Sequence, residues 1–398
     1  MKVLTILTIA AGCAVLVAGP AFGQSRFSTL YTFEDADPTG LTAGNGVFYG
    51  GGPAPSGGEC GAIFQLSPPA APGGEWSETI LYAFADTGDA CSPGSSLVMG
   101  PDGALYGLTV VGGMYGSGAM YRLQPPSSLG GAWTESVVYS TGPAFTSGLV
   151  KGPGGSFYVL DDGGTYGWGA LVQLSPPAVL GGAWTGTEVY SFGAGQGAQF
   201  ADSLLPGPNG SLYGTSAFGG DTRSGYGTVF QLIPPAAAGD AWTEILLHSF
   251  VGLHGGAGNP NSLVQASDGT LFGTAYGFSY NEGNGAGAVF QLTPPASQGG
   301  EWAYTILKNF DALHPDSPII LHNGVLYSAL ETTTGGAVFA LQPPATAGAA
   351  WTLVFLHNYT DGQVPFGPMV IDQNGTLYGA TGTIYAPFSG TVYQIETR

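Results

Sequence analysis

The chain has 398 residues, of which 70 are Gly and 29 are Pro, about a quarter of the whole. Both residues penalise a helix interior, which excludes long helices, and 7 Trp, 20 Tyr and 21 Phe are too many for a disordered chain. With 26 acids against 7 bases the net charge is -19, which repels phosphate backbones and anionic bilayers and excludes nucleic acid as a partner.

An all-β chain rich in turns remains. It opens with Lys2, an apolar run from Val3 to Ala18, and small residues at Ala21 and Gly23. This reads as a signal peptide over 1–23, cut after Gly23, and predicts a secreted or periplasmic protein. A rival reading makes Cys13, after Ala11-Gly12, the lipidated residue of a lipoprotein, but the apolar run continues past it. No later stretch is apolar enough to span a membrane. Residues 24–398 are expected to form a single domain, as a monomer. Phe27 to Phe33 reads as a lone strand. Asp35-Ala36-Asp37-Pro38-Thr39-Gly40 is a fragment of a calcium-loop pattern without the distal bidentate Glu, so no metal and no cofactor is assigned.

A repeat then fills the chain. Pro-Pro is followed by Trp at one fixed offset six times: Pro68 and Trp76, Pro125 and Trp133, Pro176 and Trp184, Pro234 and Trp242, Pro294 and Trp302, Pro343 and Trp351. Each unit carries four strand patterns, A to D. Pattern A is a short apolar stretch such as Ser262-Leu263-Val264. An Asp-Gly or Asn-Gly turn, as at Asp102-Gly103 or Asn374-Gly375, leads to pattern B, as in Leu212-Tyr213-Gly214. Pattern C alternates after a Gly, as in Gly227-Thr228-Val229-Phe230-Gln231-Leu232. The Pro-Pro loop ends in pattern D, as in Trp242 to Leu247. Four antiparallel strands per unit, repeated around a ring, predict a β-propeller. Patterns A, B and C occur seven times, and the last C, Gly390 to Ile395, has no D after it. The orphan D at residues 27–33 is therefore expected to pair with 390–395 and close a seven-bladed ring. Cys60, before strand C of the first blade, and Cys91, before strand A of the second, are the two cysteines left after cleavage. They share a face of neighbouring blades and are expected to form a disulfide.

These motifs, Gly-x-Val-Phe-x-Leu, the Pro-Pro-to-Trp loop and the Leu-Tyr-Gly strand, resemble the GloVer tandem-repeat family of exported bacterial proteins. The resemblance covers residues 27–395. It implies a secreted or periplasmic propeller and supplies no catalytic residues. Members often end in a surface-anchoring segment, whereas this chain ends at Glu396-Thr397-Arg398.

Enzyme signatures such as Gly-x-Ser-x-Gly, His-Glu-x-x-His and Cys-x-x-Cys are absent. His248 and His357 stand where other D strands carry Tyr82, Tyr139 and Tyr190, and read as structural. His254 and His314 fall in D-to-A loops. In a propeller the B-to-C and D-to-A loops share one face. That face is assigned Glu34, Asp35, Asp37, Glu59, Asp86, Asp89, Asp161, Asp162, Asp202, Asp221, Glu282, Asp311, Asp316, Glu331 and Asp361, with Arg223 as its base. The same loops carry Tyr115, Tyr166, Trp168, Tyr226, Tyr280 and Tyr385. Carboxylates beside aromatic faces suit a glycan, a cation or a basic protein surface. Asp161, Asp162 and Glu331, at the end of strand B, lead the candidates, followed by Tyr166, Tyr226, His314 and Asp316. The leading expectation is an exported, non-enzymatic binding or scaffold propeller. The alternatives are a polysaccharide lyase or glycoside hydrolase using Asp161, Asp162 or Glu331, and a structural surface-layer component.

Overall fold

The computed structural model describes residues 25–397, except 35–36, 53–59, 72, 86–89, 129, 180–181, 194–196, 221–224, 238–239, 252–257, 280–282, 285–286, 298, 311–312, 333–334, 347 and 384–388. The chain forms a seven-bladed β-propeller with four antiparallel strands per blade. In sequence order the blades span 42–83, 90–140, 150–191, 198–249, 260–310, 314–358 and 363–396. Blade four shows the plan. Ala198–Pro206 is the innermost strand, followed outward by Leu212–Gly219, Thr228–Ile233 and Thr243–Ser249. Blade five adds a ribbon of Phe278–Ser279 with Gly283–Asn284. In blade six the inner strand is split into His314–Pro315 and Ile320–His322, both paired with Val325–Thr332.

The repeated residues have specific jobs. A methyl group added at Gly214 or Gly273, in the strand-B motif, would strike the ring of Phe230 or Phe290 in strand C. Gly is there so that an aromatic can lie across it. The fixed distance from Pro-Pro to Trp carries the indole onto strand B of the preceding blade. Trp242 meets Tyr158 at 5.4 Å, Trp302 meets Tyr213 at 6.2 Å and Trp351 meets Phe272 at 5.8 Å between ring centres. The core is accordingly a series of clusters that join adjacent blades.

The ring closes as expected. Arg26–Thr32 pairs with Thr391–Glu396, in register from Arg26 opposite Glu396 to Thr32 opposite Thr391, and Phe33 N–H continues to the carbonyl of Gly390 at 2.9 Å. Phe27 stacks on His357 at 3.7 Å. The Cys60–Cys91 disulfide is formed, with Cα atoms 4.4 Å apart. Cys91 lies inside the inner strand Ala90–Met99 and not in the loop before it. His248 is structural too: it stacks on Tyr304 at 4.0 Å, and burial lowers its pKa to about 4. No helix among the described residues is long and apolar enough to cross a membrane. The expected leader at 1–23, Cys13 included, lies outside the described residues.

Candidate functional site

The ends of strands B and the starts of strands A ring one mouth of the propeller. The register fixes which side chains face it. The fifth residue from the repeated Leu or Phe of strand B matches in position from blade to blade, and Thr109, Ser216 and Thr381 there accept hydrogen bonds from the first N–H of strand C. The donors are Ala119 at 3.0 Å, Thr228 at 3.2 Å and Thr391 at 3.0 Å. Asp161 occupies the same position in blade three. It is 6% exposed, and its carboxylate accepts N–H bonds from Gly163, at 3.0 Å, and Ala170. Burial raises its pKa to about 6 against those bonds. Asp161, which the sequence placed among the leading candidates, is therefore buried and fastens a strand start. Asp162, one residue on, is exposed, and its Oδ1 accepts the Ala144 N–H at 2.8 Å.

The next position along the chain holds Asp162, Tyr276 and Glu331 in blades three, five and six; the first and last are exposed and Tyr276 is half-buried. At the junction of blades five and six, four groups converge. His314 pairs in register with Glu331. Its ring lies 4.5 Å from that of Tyr276, nearly parallel at 15°, and its Nδ1 is 2.5 Å from the Tyr276 carbonyl. A carbonyl only accepts, so Nδ1 carries the proton and Nε2 is the acceptor of the neutral ring. Asp316 is exposed at the mouth, yet the protein crowded around its carboxyl withdraws water and raises its pKa, with His314 pulling the other way. Burial raises the Tyr276 pKa as well, reinforced by the charges of Asp316 and Glu331. Three predicted residues thus come together, and Tyr276 is the member that sequence reasoning missed. Its signal was its repeat position, shared with Asp162 and Glu331.

The tyrosines divide. Tyr166 is 65% exposed and Tyr115 is 63% exposed. Tyr226 packs against the core cluster between blades four and five, and its carbonyl accepts the Asn259 N–H at 2.7 Å, so it seals a junction. Asp202 sits at a register shift of the innermost strand of blade four, where burial raises its pKa to about 7. Asp37, from the calcium-like fragment, is wedged beside Gly382 and Gly390 of the last blade. Among the described residues no group of His, Cys, Asp and Glu could hold a metal ion. Asp35, Glu59, Asp86, Asp89, Asp221, Arg223, His254, Tyr280, Glu282, Asp311 and Tyr385 lie outside the described residues. On the opposite face, the turn acid Asp102 is paired with Arg122 at 2.5 Å.

A family match described as Gloeobacter/Verrucomicrobia repeat covers residues 92–335. The chain belongs to this family. Comparison of this Gloeobacter/Verrucomicrobia repeat protein with curated sequences found no match. Solved structures share its fold at low identity. A polysaccharide lyase of family PL25, an ulvan lyase, is 10% identical with a TM-score of 0.60, over 91% of this chain and 95% of the lyase. The same enzyme bound to -[GlcA(1-4)Rha3S]- is 11% identical, TM-score 0.60, over 92% and 95%. A puromycin-hydrolyzing peptidase of Mycobacterium tuberculosis is 16% identical, TM-score 0.55, over 90% of this chain and 50% of the peptidase. At such identities the repeat protein shares with them a propeller and nothing finer.

Proposed function

We propose that the protein is an exported propeller that binds an extracellular glycan at the mouth formed by its B-to-C and D-to-A loops. The observation that carries this is the convergence of His314, Asp316 and Glu331 with Tyr276 at one blade junction. Carboxylates accept hydrogen bonds from sugar hydroxyls, and a flat aromatic pair lies beside them. The leader-like N-terminus and the disulfide support export, since such bonds persist in oxidising compartments. The charge of the mouth selects the ligand. Acids there, on a chain of net charge -19, repel sulfated or uronate chains and admit neutral or amine-bearing ones. A glycan array followed by titration of the best ligand tests the reading. The double variant Asp316→Asn, Glu331→Gln is expected to weaken binding by about 1–3 kcal/mol, while Asp268→Asn, in a turn on the far face, leaves it unchanged. Equal loss from both variants overturns the site.

A second reading, a carbohydrate-active enzyme, draws on one feature. With Nδ1–H held by the Tyr276 carbonyl, His314 presents Nε2 as a base beside two carboxylates. New reducing ends released from a bound neutral glycan, and abolished by His314→Ala without loss of binding, would establish it. An intact glycan after prolonged incubation would leave the binding reading alone.

A further inference from the structure

Two loops on the opposite side of the mouth from the His314 cluster share a sequence pattern. Gly112-Gly113-Met114-Tyr115-Gly116-Ser117-Gly118 in blade two and Gly163-Gly164-Thr165-Tyr166-Gly167-Trp168-Gly169 in blade three are both Gly-Gly-x-Tyr-Gly-x-Gly. They also share a geometry. Gly116 N–H bonds to the Gly113 carbonyl at 3.3 Å and Gly167 N–H to the Gly164 carbonyl at 3.1 Å. Gly118 N–H reaches the Gly112 carbonyl at 3.1 Å, as Gly169 N–H reaches that of Gly163 at 2.8 Å. Each loop is tied to its own outer strand: Met114 N–H to Ser140 Oγ at 3.1 Å, and Tyr166 N–H to Ser191 Oγ at 3.3 Å. Thr165 adds bonds from its N–H and hydroxyl to Glu188. Gly113 and Gly164 both have positive φ, and a methyl on either would crowd the same neighbours: the carbonyl of the glycine before strand C, a serine hydroxyl and an alanine.

These bonds hold the loop backbones while leaving both phenol rings open to solvent. A tyrosine about two-thirds exposed contributes little to a core, and both loops show one at the same step. Between the same two blades, on the same face, lies a pocket of 210 Å³ walled by Ser95, Ser96 and Thr146 and by Leu108, Val110 and Phe145 among others. At roughly 30 Å³ per water it has room for about seven waters, comparable to one sugar ring.

We propose that blades two and three form a stacking subsite for an uncharged pyranose chain. Tyr115 and Tyr166 are platforms for the apolar faces of two sugar units, and the pocket between blades two and three receives a further ring. The proposal rests on the glycan-binding reading and adds the ligand's class and a second place of contact. Exposed Val110, Val111 and Met114 border Tyr115 and would also suit a protein. The walls decide for sugar. A protein anchor seeks a dry apolar pocket, whereas this one sets the hydroxyls of Ser95, Ser96 and Thr146 beside Leu108, Val110 and Phe145, a mixture that matches a sugar's hydroxyl edges and apolar faces. The neighbouring Asp162 carboxylate disfavours anionic chains.

The full-length protein would be titrated with cellohexaose, xylohexaose and laminarihexaose, with a hexamer of galacturonic acid as the charged counterpart. Binding of at least one neutral hexamer, and not of the uronate, is expected. Tyr115→Ala and Tyr166→Ala are each expected to weaken it roughly tenfold, while Tyr115→Phe and Tyr166→Phe keep the ring and the affinity. Melting temperatures should hold, because neither ring is buried. Unchanged affinity in the double alanine variant overturns the subsite and leaves the His314 cluster standing. Wild-type protein that binds no neutral hexamer at roughly millimolar concentration overturns the proposal, and failure on the whole glycan array overturns the function with it. Capture of a protein, and of no sugar, through these tyrosines would also refute it.

Discussion

The junction between blades one and two and the junction between blades three and four are built on one hydrogen bond and finished differently. Ser92 N–H donates to the Cys60 carbonyl at 2.9 Å, and Phe200 N–H donates to the Trp168 carbonyl at 2.9 Å. Ser92 and Phe200 both take positive φ, 58° and 51°, an arrangement that costs an ordinary residue about 1–2 kcal/mol. The first junction then adds a disulfide. The second adds Trp168 edge-on to Phe200 at 5.6 Å. Blades four and five repeat the bond through Tyr226 and Asn259, again with positive φ, 60°. The residue before the strand-C glycine is thus where neighbouring blades are sealed. Its chemistry varies, and its role does not. An aromatic at this position belongs to the ring, whereas one two residues earlier in the twin loops, such as Tyr166, belongs to the surface.

The largest test of this comparison is a junction sealed by neither device. The last blade receives its outer strand from the N-terminus, so deleting residues 25–33 should bare Thr391–Glu396 and strip Phe27 and Phe33 from their clusters. A loss of several kcal/mol and aggregation through the open edge are expected by thermal melting and light scattering. An unchanged melting temperature would show that the ring does not need closure.

Next come the two junctions themselves. Cys60→Ala with Cys91→Ala releases a loop whose ends are 31 residues apart, and should cost about 3 kcal/mol in denaturant unfolding, matched by added reductant in the wild type. Trp168→Ala removes an indole that is only half buried, and should cost about 2 kcal/mol. If Trp168→Ala instead abolished glycan binding while stability held, the sealing role would be wrong.

The smallest effect sharpens the contrast between Asp161 and the hydroxyls at its matching positions. Its pKa is raised to about 6 from 3.8, so the native state holds its proton more tightly than the unfolded chain. Stability linked to this group is full below about pH 4 and lost as pH rises through 6. Asp161→Thr, which installs the side chain found at Thr109 and Thr381, should therefore gain stability on moving from pH 4 to pH 8. The gain is about 1–3 kcal/mol relative to wild type, read as a crossing of the two melting-temperature curves. Parallel curves would mean that Asp161 is not desolvated, and would return it to the list of ligand contacts.

The blade count, the strand order, the closing strand and the cysteine pair were legible in the residues alone. Each follows from local rules that survive packing: a turn of Asn-Gly or Asp-Gly joins neighbouring strands, alternation sets their faces, and a fixed Pro-to-Trp offset repeats in every complete unit. The placement of three acids and a histidine on one face was legible too, because a propeller assigns its loops to two ends. What the residues could not decide is which of those side chains stays free. Asp161 and Asp162 are neighbours in sequence, and one is buried on the N–H groups of Gly163 and Ala170 while the other is exposed and accepts only the Ala144 N–H through Oδ1. Trp168 and Tyr166 share a loop, and one reaches the next blade while the other reaches water. These outcomes depend on partners in the following turn, in an adjoining strand or in the next blade, brought near by the fold. Composition and periodicity carry no information about which partner a side chain will meet, and only the assembled tertiary structure does.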